Sequence, residues 1–184
     1  MEAIARNGST SVGLEVFDST PAANTVNDVT IRDSTIVAVG SSGTRALAAS
    51  LGKVRDSRIL GSRFLAVEST LSSVAARLTN TSTLIRDSQF QAFSPGQTGE
   101  AVGLAIDSTQ GGFLETRNIQ VDATGAAVAT GVSLESEALP TAGRVNFNGP
   151  LIVVGGAPEL RGIYSRGMAF DIRQGSVFVN GGAA

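Results

Sequence analysis

Three carboxylates recur in one local setting: Asp33 within Ile31-Arg32-Asp33-Ser34-Thr35-Ile36, Asp56 within Val54-Arg55-Asp56-Ser57-Arg58-Ile59, and Asp87 within Ile85-Arg86-Asp87-Ser88-Gln89-Phe90. Stacked one strand spacing apart, about 4.8 Å, such acids would raise one another's pKa or share a Ca²⁺. An arginine precedes each of them. Arg32, Arg55, Arg86, Arg117 and Arg173 together would make a stripe of positive charge, a candidate polyanion-binding ladder suited to an acidic polysaccharide. The sequence has no His and no Cys, which removes imidazole bases and thiolate nucleophiles and leaves carboxylate or Arg/Lys chemistry. Of the acids outside these segments only Glu135 and Glu137 stand close together, in what reads as a strand end and loop, where a solvated pair is the common case.

The elements that must hold these residues are set by a repeat. The frame continues as Thr116-Arg117-Asn118-Ile119-Gln120-Val121, Phe147-Asn148-Gly149-Pro150-Leu151-Ile152 and Ile172-Arg173-Gln174-Gly175-Ser176-Val177, so the marker falls at 33, 56, 87, 118, 149 and 174, in steps of 23, 31, 31, 31 and 25. A period of this size marks a solenoid or array. Two before the marker stand Ile31, Val54, Ile85, Thr116, Phe147 and Ile172, and three after it Ile36, Ile59, Phe90, Val121, Ile152 and Val177. These apolar columns alternate with polar ones, as in a strand with one buried face. The step between them is five, an odd number that a straight strand does not allow, so the strand turns a corner at each marker.

The marker column reads Asp33, Asp56, Asp87, Asn118, Gly149, Gln174. All but Gln174 are types that tolerate the left-handed backbone region, and the loss of the carboxylate at Asn118 and Gly149 fits a structural bend ladder better than a catalytic or metal site. The arginines likewise have an account without a ligand, each pairing with neighbouring acids or laying its stem over the next rung. A second series supplies another wall: Gly13-Leu14-Glu15-Val16, Ala46-Leu47-Ala48-Ala49, Ala75-Ala76-Arg77-Leu78, Gly103-Leu104-Ala105-Ile106, Gly131-Val132-Ser133-Leu134 and Gly162-Ile163-Tyr164. Segments rich in Ser, Thr, Gly, Asn and Pro, such as Asp18 to Asp28 and Glu135 to Gly143, read as loops of varying length.

These bends and strands resemble the right-handed parallel β-helix repeats of pectate-lyase-like enzymes, phage tailspikes and bacterial surface proteins, over roughly residues 12 to 180. The resemblance implies an all-β, single-stranded right-handed parallel β-helix of about six rungs, with residues 1–11 as a lead-in or partial cap and 181–184 as a tail. It also implies an extracellular, cell-surface or virion location. Enzymes of these families cut polysaccharides with paired carboxylates or with Ca²⁺-binding acids and an Arg or Lys base. Here the Asp-dominated bend column departs from the Asn ladder common among them.

The chain has 184 residues, 42% hydrophobic and 16% charged, with 22 Gly against 8 Phe, one Tyr and no Trp, so its core must be narrow and aliphatic. No run approaches the roughly 20 apolar residues of a membrane span, and Met1-Glu2-Ala3-Ile4-Ala5-Arg6 lacks the apolar stretch of a secretory leader. With 14 basic against 16 acidic residues and few aromatics, nothing favours nucleic acid. Gly111-Gly112-Phe113 and Gly155-Gly156 lack the phosphate-loop ending, and Asn7-Gly8-Ser9 and Asn80-Thr81-Ser82 match a glycosylation sequon at chance level. Rods of this kind expose apolar core at their ends unless capped, and Asn180-Gly181-Gly182-Ala183-Ala184 is too short a cap. The expectation is a structural or adhesive module of a bacterial or phage surface protein, without cofactor or metal, that is either a segment of a longer protein or self-associates by its ends or by lateral bundling. The alternative is a polysaccharide-binding or polysaccharide-degrading domain.

Overall fold

A computed structural model of the protein describes residues 2–6, 9–17, 26–96, 98–107, 113–125, 127–136 and 144–181, residues 26, 27 and 113 by backbone alone. The loop segments 18–25 and 137–143, Gly111-Gly112, Asn7-Gly8 and the tail 182–184 lie outside them. Every regular element among the described residues is a strand, and all pairings are parallel. One sheet has six strands of eight residues each (Thr10–Phe17, Arg45–Gly52, Ser72–Thr79, Glu100–Asp107, Val128–Glu135, Glu159–Arg166). We refer to it as the long-strand sheet. A middle sheet follows (Thr30–Arg32, Ser57–Leu60, Thr83–Arg86, Phe113–Arg117, Arg144–Asn148, Ala169–Arg173), then a seven-stranded sheet (Glu2–Arg6, Thr35–Val39, Arg63–Val67, Gln89–Ser94, Gln120–Gly125, Leu151–Gly155, Ser176–Asn180). The chain visits the three in turn and starts again one strand over, a parallel β-solenoid of about five turns rather than six complete rungs.

The expected inward columns line the core, with one correction. Ile31 pairs with Ile59, Ile59 with Ile85, Ile85 with Thr116, Thr116 with Phe147 and Phe147 with Ile172. In the seven-stranded sheet Ile36, Phe64, Phe90, Val121, Ile152 and Val177 stack in the same way. The second turn is therefore framed on Ile59-Leu60-Gly61-Ser62-Arg63-Phe64 and not on the segment around Asp56. Val54, Ile59, Phe64 and Phe90 are all fully buried, and the Phe64 and Phe90 rings lie parallel with centroids 5.1 Å apart. The second series shifts likewise in that turn, because Val12 pairs with Leu47 and Leu14 with Ala49, which sets Gly13 beside Ala48 instead of Ala46.

That small column, Gly13, Ala48, Ala75, Gly103, Gly131, Gly162, fixes how closely two sheets approach. A Cβ on Gly13 would sit 2.8 Å from Ile36 Cγ2, and one on Gly103, Gly131 or Gly162 would collide with Val121, Ile152 or Val177. Glycine thus stands in the four turns whose facing residue is β-branched. Alanine stands in the two whose facing residue is a phenylalanine, Phe64 or Phe90, which has no branch at Cβ. The interior is closed by complementary pairs of residue types, in keeping with the near-crystalline density of protein cores.

At the corner between the middle and seven-stranded sheets a buried hydroxyl replaces the ladder. Ser62 Oγ donates to Leu60 O (2.9 Å) and accepts from the Ser34 N–H (3.2 Å), and Ser88 Oγ donates to Arg86 O (2.7 Å) and accepts from the Ser62 N–H (3.2 Å). In the following turns the position is Ile119, Pro150 and Gly175, and Pro150 has no N–H to satisfy. Ser88→Ala is expected to cost about 1–3 kcal/mol, since it strands the buried Ser62 N–H; a urea midpoint equal to the parent's would refute this.

Candidate functional site

Each of the six expected bend residues adopts a left-handed backbone: φ is 46° at Asp33, 53° at Asp56, 50° at Asp87, 50° at Asn118, 66° at Gly149 and 54° at Gln174. They do not form a single column. The Asp33 N–H donates to Leu60 O and the Gly61 N–H to Arg86 O, so the stack runs Asp33, Gly61, Asp87, Asn118, Gly149, Gln174. Asp56 belongs to a different corner, where the Asp28 N–H bonds Arg55 O. Gly61, between Asp33 and Asp87, carries no carboxylate, so no two aspartates are nearest neighbours in the stack. Asp87 Oδ1 accepts a bond from Asn118 Nδ2 at 3.1 Å, and a Cβ on Gly149 would crowd Asn118 Oδ1. Among the described residues no group of three or more acids could hold a metal ion.

The arginine stripe is broken by the same shift. Its column on the outer face of the middle sheet is Arg32, Leu60, Arg86, Arg117, Asn148, Arg173, while Arg55 pairs with Asn27 on a two-stranded ladder of its own. Only Arg86 and Arg117 are direct neighbours, and Arg117 Nε donates to Glu115 at 2.5 Å on its own strand. Alternate strands of this face bring further charges: Arg58, Glu115 and Asp171 share a column with Thr30, Leu84 and Asn146.

Where Asp56 does fall is beside Arg86. A cavity of about 250 Å³ is lined by Asp56, Arg58, Arg86 and Glu115 with Ser57, Ser82, Thr83 and Leu84. The Arg86 Nε is buried and has no hydrogen-bond partner, a cost that an acceptor entering the cavity would offset. Two arginines and two acids line the cavity, so its charge is mixed in sign.

A second surface feature escaped the sequence reading. On the outer face of the long-strand sheet Leu47, Val74, Val102 and Ala105 form an apolar cluster separate from the core. A groove of about 490 Å³ runs there between Arg45, Leu71, Arg77 and Glu100. Val74, which lines it, is 6% exposed and packs with the 7% exposed Val102 beside it, whereas Leu71, also lining it, is 44% exposed. Ser73, Val74, Ala75 and Ala76 are buried in succession before Arg77 is exposed and Leu78 buried, so alternation lapses at the small column and the strand bends about it. The cue was present in the sequence: an apolar residue precedes the small one in Val12-Gly13, Leu47-Ala48, Val74-Ala75 and Val102-Gly103.

One ion pair at the surface shifts both of its partners. Arg144 Nη2 lies 2.5 Å from Asp171 Oδ2 across neighbouring strands. Their hydrogen bond holds the Asp171 carboxyl below the usual carboxylate range and raises the guanidinium further. Because the folded value is the lower one, the stabilisation is complete above the ordinary Asp pKa and is lost as pH falls through the depressed value. Asp171→Asn should therefore be slightly less stable than the parent at neutral pH, with the difference closing as pH falls below about 4, as checked by thermal melts across pH.

Comparison with known proteins returns no matching family model, no matching curated protein and no matching solved structure. Among the described residues, fold and surface define a parallel β-solenoid with a mixed-charge lateral face and an apolar lateral groove.

Proposed function

We propose that the chain is a structural or adhesive rod, a non-catalytic module of a bacterial or phage surface assembly. The observation that carries this is where the repeat is kept and where it is not. Positions that recur in every turn are the inward columns, the small column and the left-handed corners, all of which build the coil. Outward positions change type from turn to turn, as in Arg32, Leu60, Arg86, Arg117, Asn148, Arg173. A track for a repeating polymer needs the same group at each step; this surface repeats none. Such a rod works by length and stiffness and by what it presents. In the last described turn Phe170, Ile172, Val177 and Val179 stand exposed on inward columns.

The second reading, a polysaccharide-binding or polysaccharide-degrading domain, draws on the Arg86–Arg117 neighbours and the cavity beside them. Acidic glycan binding at two salt concentrations, with turnover assays on uronic-acid polymers with and without Ca²⁺, separates the two. The rod predicts no salt-sensitive binding and no turnover. Salt-sensitive binding abolished by Arg86→Ala with Arg117→Ala would favour the second reading and sink the first.

A further inference from the structure

We infer that the outer groove of the long-strand sheet is the seat of a second copy of this chain, its rod reversed about a two-fold axis that lies over the groove parallel to the strand Ser72–Thr79. The pattern around that strand is self-complementary. In one column Arg45, Ser72 and Glu100 stand on consecutive strands, and in the next Leu47, Val74 and Val102. Arg45 and Glu100 flank Ser72 symmetrically, one strand to either side. Turning a copy by 180° about the direction of Ser72–Thr79 returns each column onto itself with strand order reversed. It brings Arg45 opposite Glu100 of the second copy, and Glu100 opposite its Arg45. The same operation sets Leu47 against Val102, Val74 against Val74 and the exposed Leu71 against its own counterpart.

Charge and shape therefore satisfy an isologous interface, in which one patch serves both partners. Within one chain Arg45 and Glu100 are two strands apart, about 10 Å, too far to pair with each other. The apolar floor between them offers the dry centre, and the opposite charges at its flanks set the register. The two Arg77 side chains fall near the axis, where each has Asp107 at 3.4 Å to offset its like-charged counterpart. This deepens the structural reading by naming a partner, and the two fail differently. Lateral pairing is read from mass and the rod reading from glycan binding and turnover, so a monomeric rod would overturn only the pairing.

The test is sedimentation equilibrium with native mass spectrometry on the purified chain over a wide concentration range. The parent should be dimeric, and Arg45→Glu or Glu100→Arg should each weaken the dimer at least about tenfold, because either places like charges opposite one another twice. Leu71→Asp should do the same. Mixing the Arg45→Glu and Glu100→Arg chains should restore a mixed dimer, since every juxtaposition becomes complementary, and so should both changes in one chain. Circular dichroism keeps folded variants distinct from misfolded ones. A parent that stays monomeric throughout overturns the inference, as do charge variants that dimerise like the parent or mixtures that recover nothing.

Discussion

Phe90→Ala is expected to lower the free energy of unfolding by about 3–5 kcal/mol, among the largest losses from a single truncation in this core. Phe90 is fully buried, and its ring lies 5.1 Å from that of Phe64 at an interplanar angle of 4°. Truncation removes the ring's burial and its stacking partner together, and the neighbouring turns, held in register by ladders on three sheets, cannot collapse into the space. Phe64→Ala should cost a similar amount, and the double variant less than the sum of the two, because the second change deletes a stack already broken. Denaturant unfolding of the three variants decides this. Additive losses would mean that the two rings contribute independently.

Gly131→Ala should be nearly as damaging as far larger changes are elsewhere, costing about 1–3 kcal/mol, with Gly131→Val beyond that range. A Cβ at Gly131 would meet Ile152 Cγ2 and come within 2.6 Å of Gly162 O. Ala48 and Ala75 occupy this same column without difficulty, so an alanine is not excluded by the backbone as such. The facing residue decides it. Gly131→Ala combined with Ile152→Leu, which keeps the volume but removes the branch at Cβ, should be more stable than Gly131→Ala alone. A double variant no better than the single one would mean that the Gly162 carbonyl sets the limit.

The class of fold was legible because burial acts on every turn alike. Ile31, Ile85, Thr116, Phe147 and Ile172 occupy equivalent inward positions, and an alternating column with a corner at a left-handed residue has few other meanings. The second turn was misframed for a physical reason. Val54-Arg55-Asp56-Ser57-Arg58-Ile59 and Ile59-Leu60-Gly61-Ser62-Arg63-Phe64 are both corners with left-handed markers, φ 53° at Asp56 and 55° at Gly61, and both carry an apolar residue on either side. Local chemistry cannot rank them, because each satisfies the same backbone demand. Only the hydrogen bonds of neighbouring turns do so, through the Asp33 N–H on Leu60 O and the Gly61 N–H on Arg86 O. The candidate site suffered most from this. Moving one register breaks the arginine stripe at Leu60 and sends Asp56 to the rim of the Arg86 cavity. The groove was missed for another reason, although apolar residues before the small column hinted at it. Val74 and Val102 face outward yet are buried, and outward burial depends on the curvature of the sheet, which a period-two pattern does not encode.

The fit between the small column and its facing residue is made within a single turn: Gly13 answers Ile36, Gly103 answers Val121, Gly131 answers Ile152 and Gly162 answers Val177. A coil therefore carries both halves of its own steric match wherever it sits in the stack. Whole coils are in that respect interchangeable cassettes, and the molecule can be lengthened or shortened by duplicating or deleting one of them without creating an overlap that a neighbour would have to absorb. Variation in length is thus open to such a chain by recombination alone, whereas a single substitution in either half of the match is not.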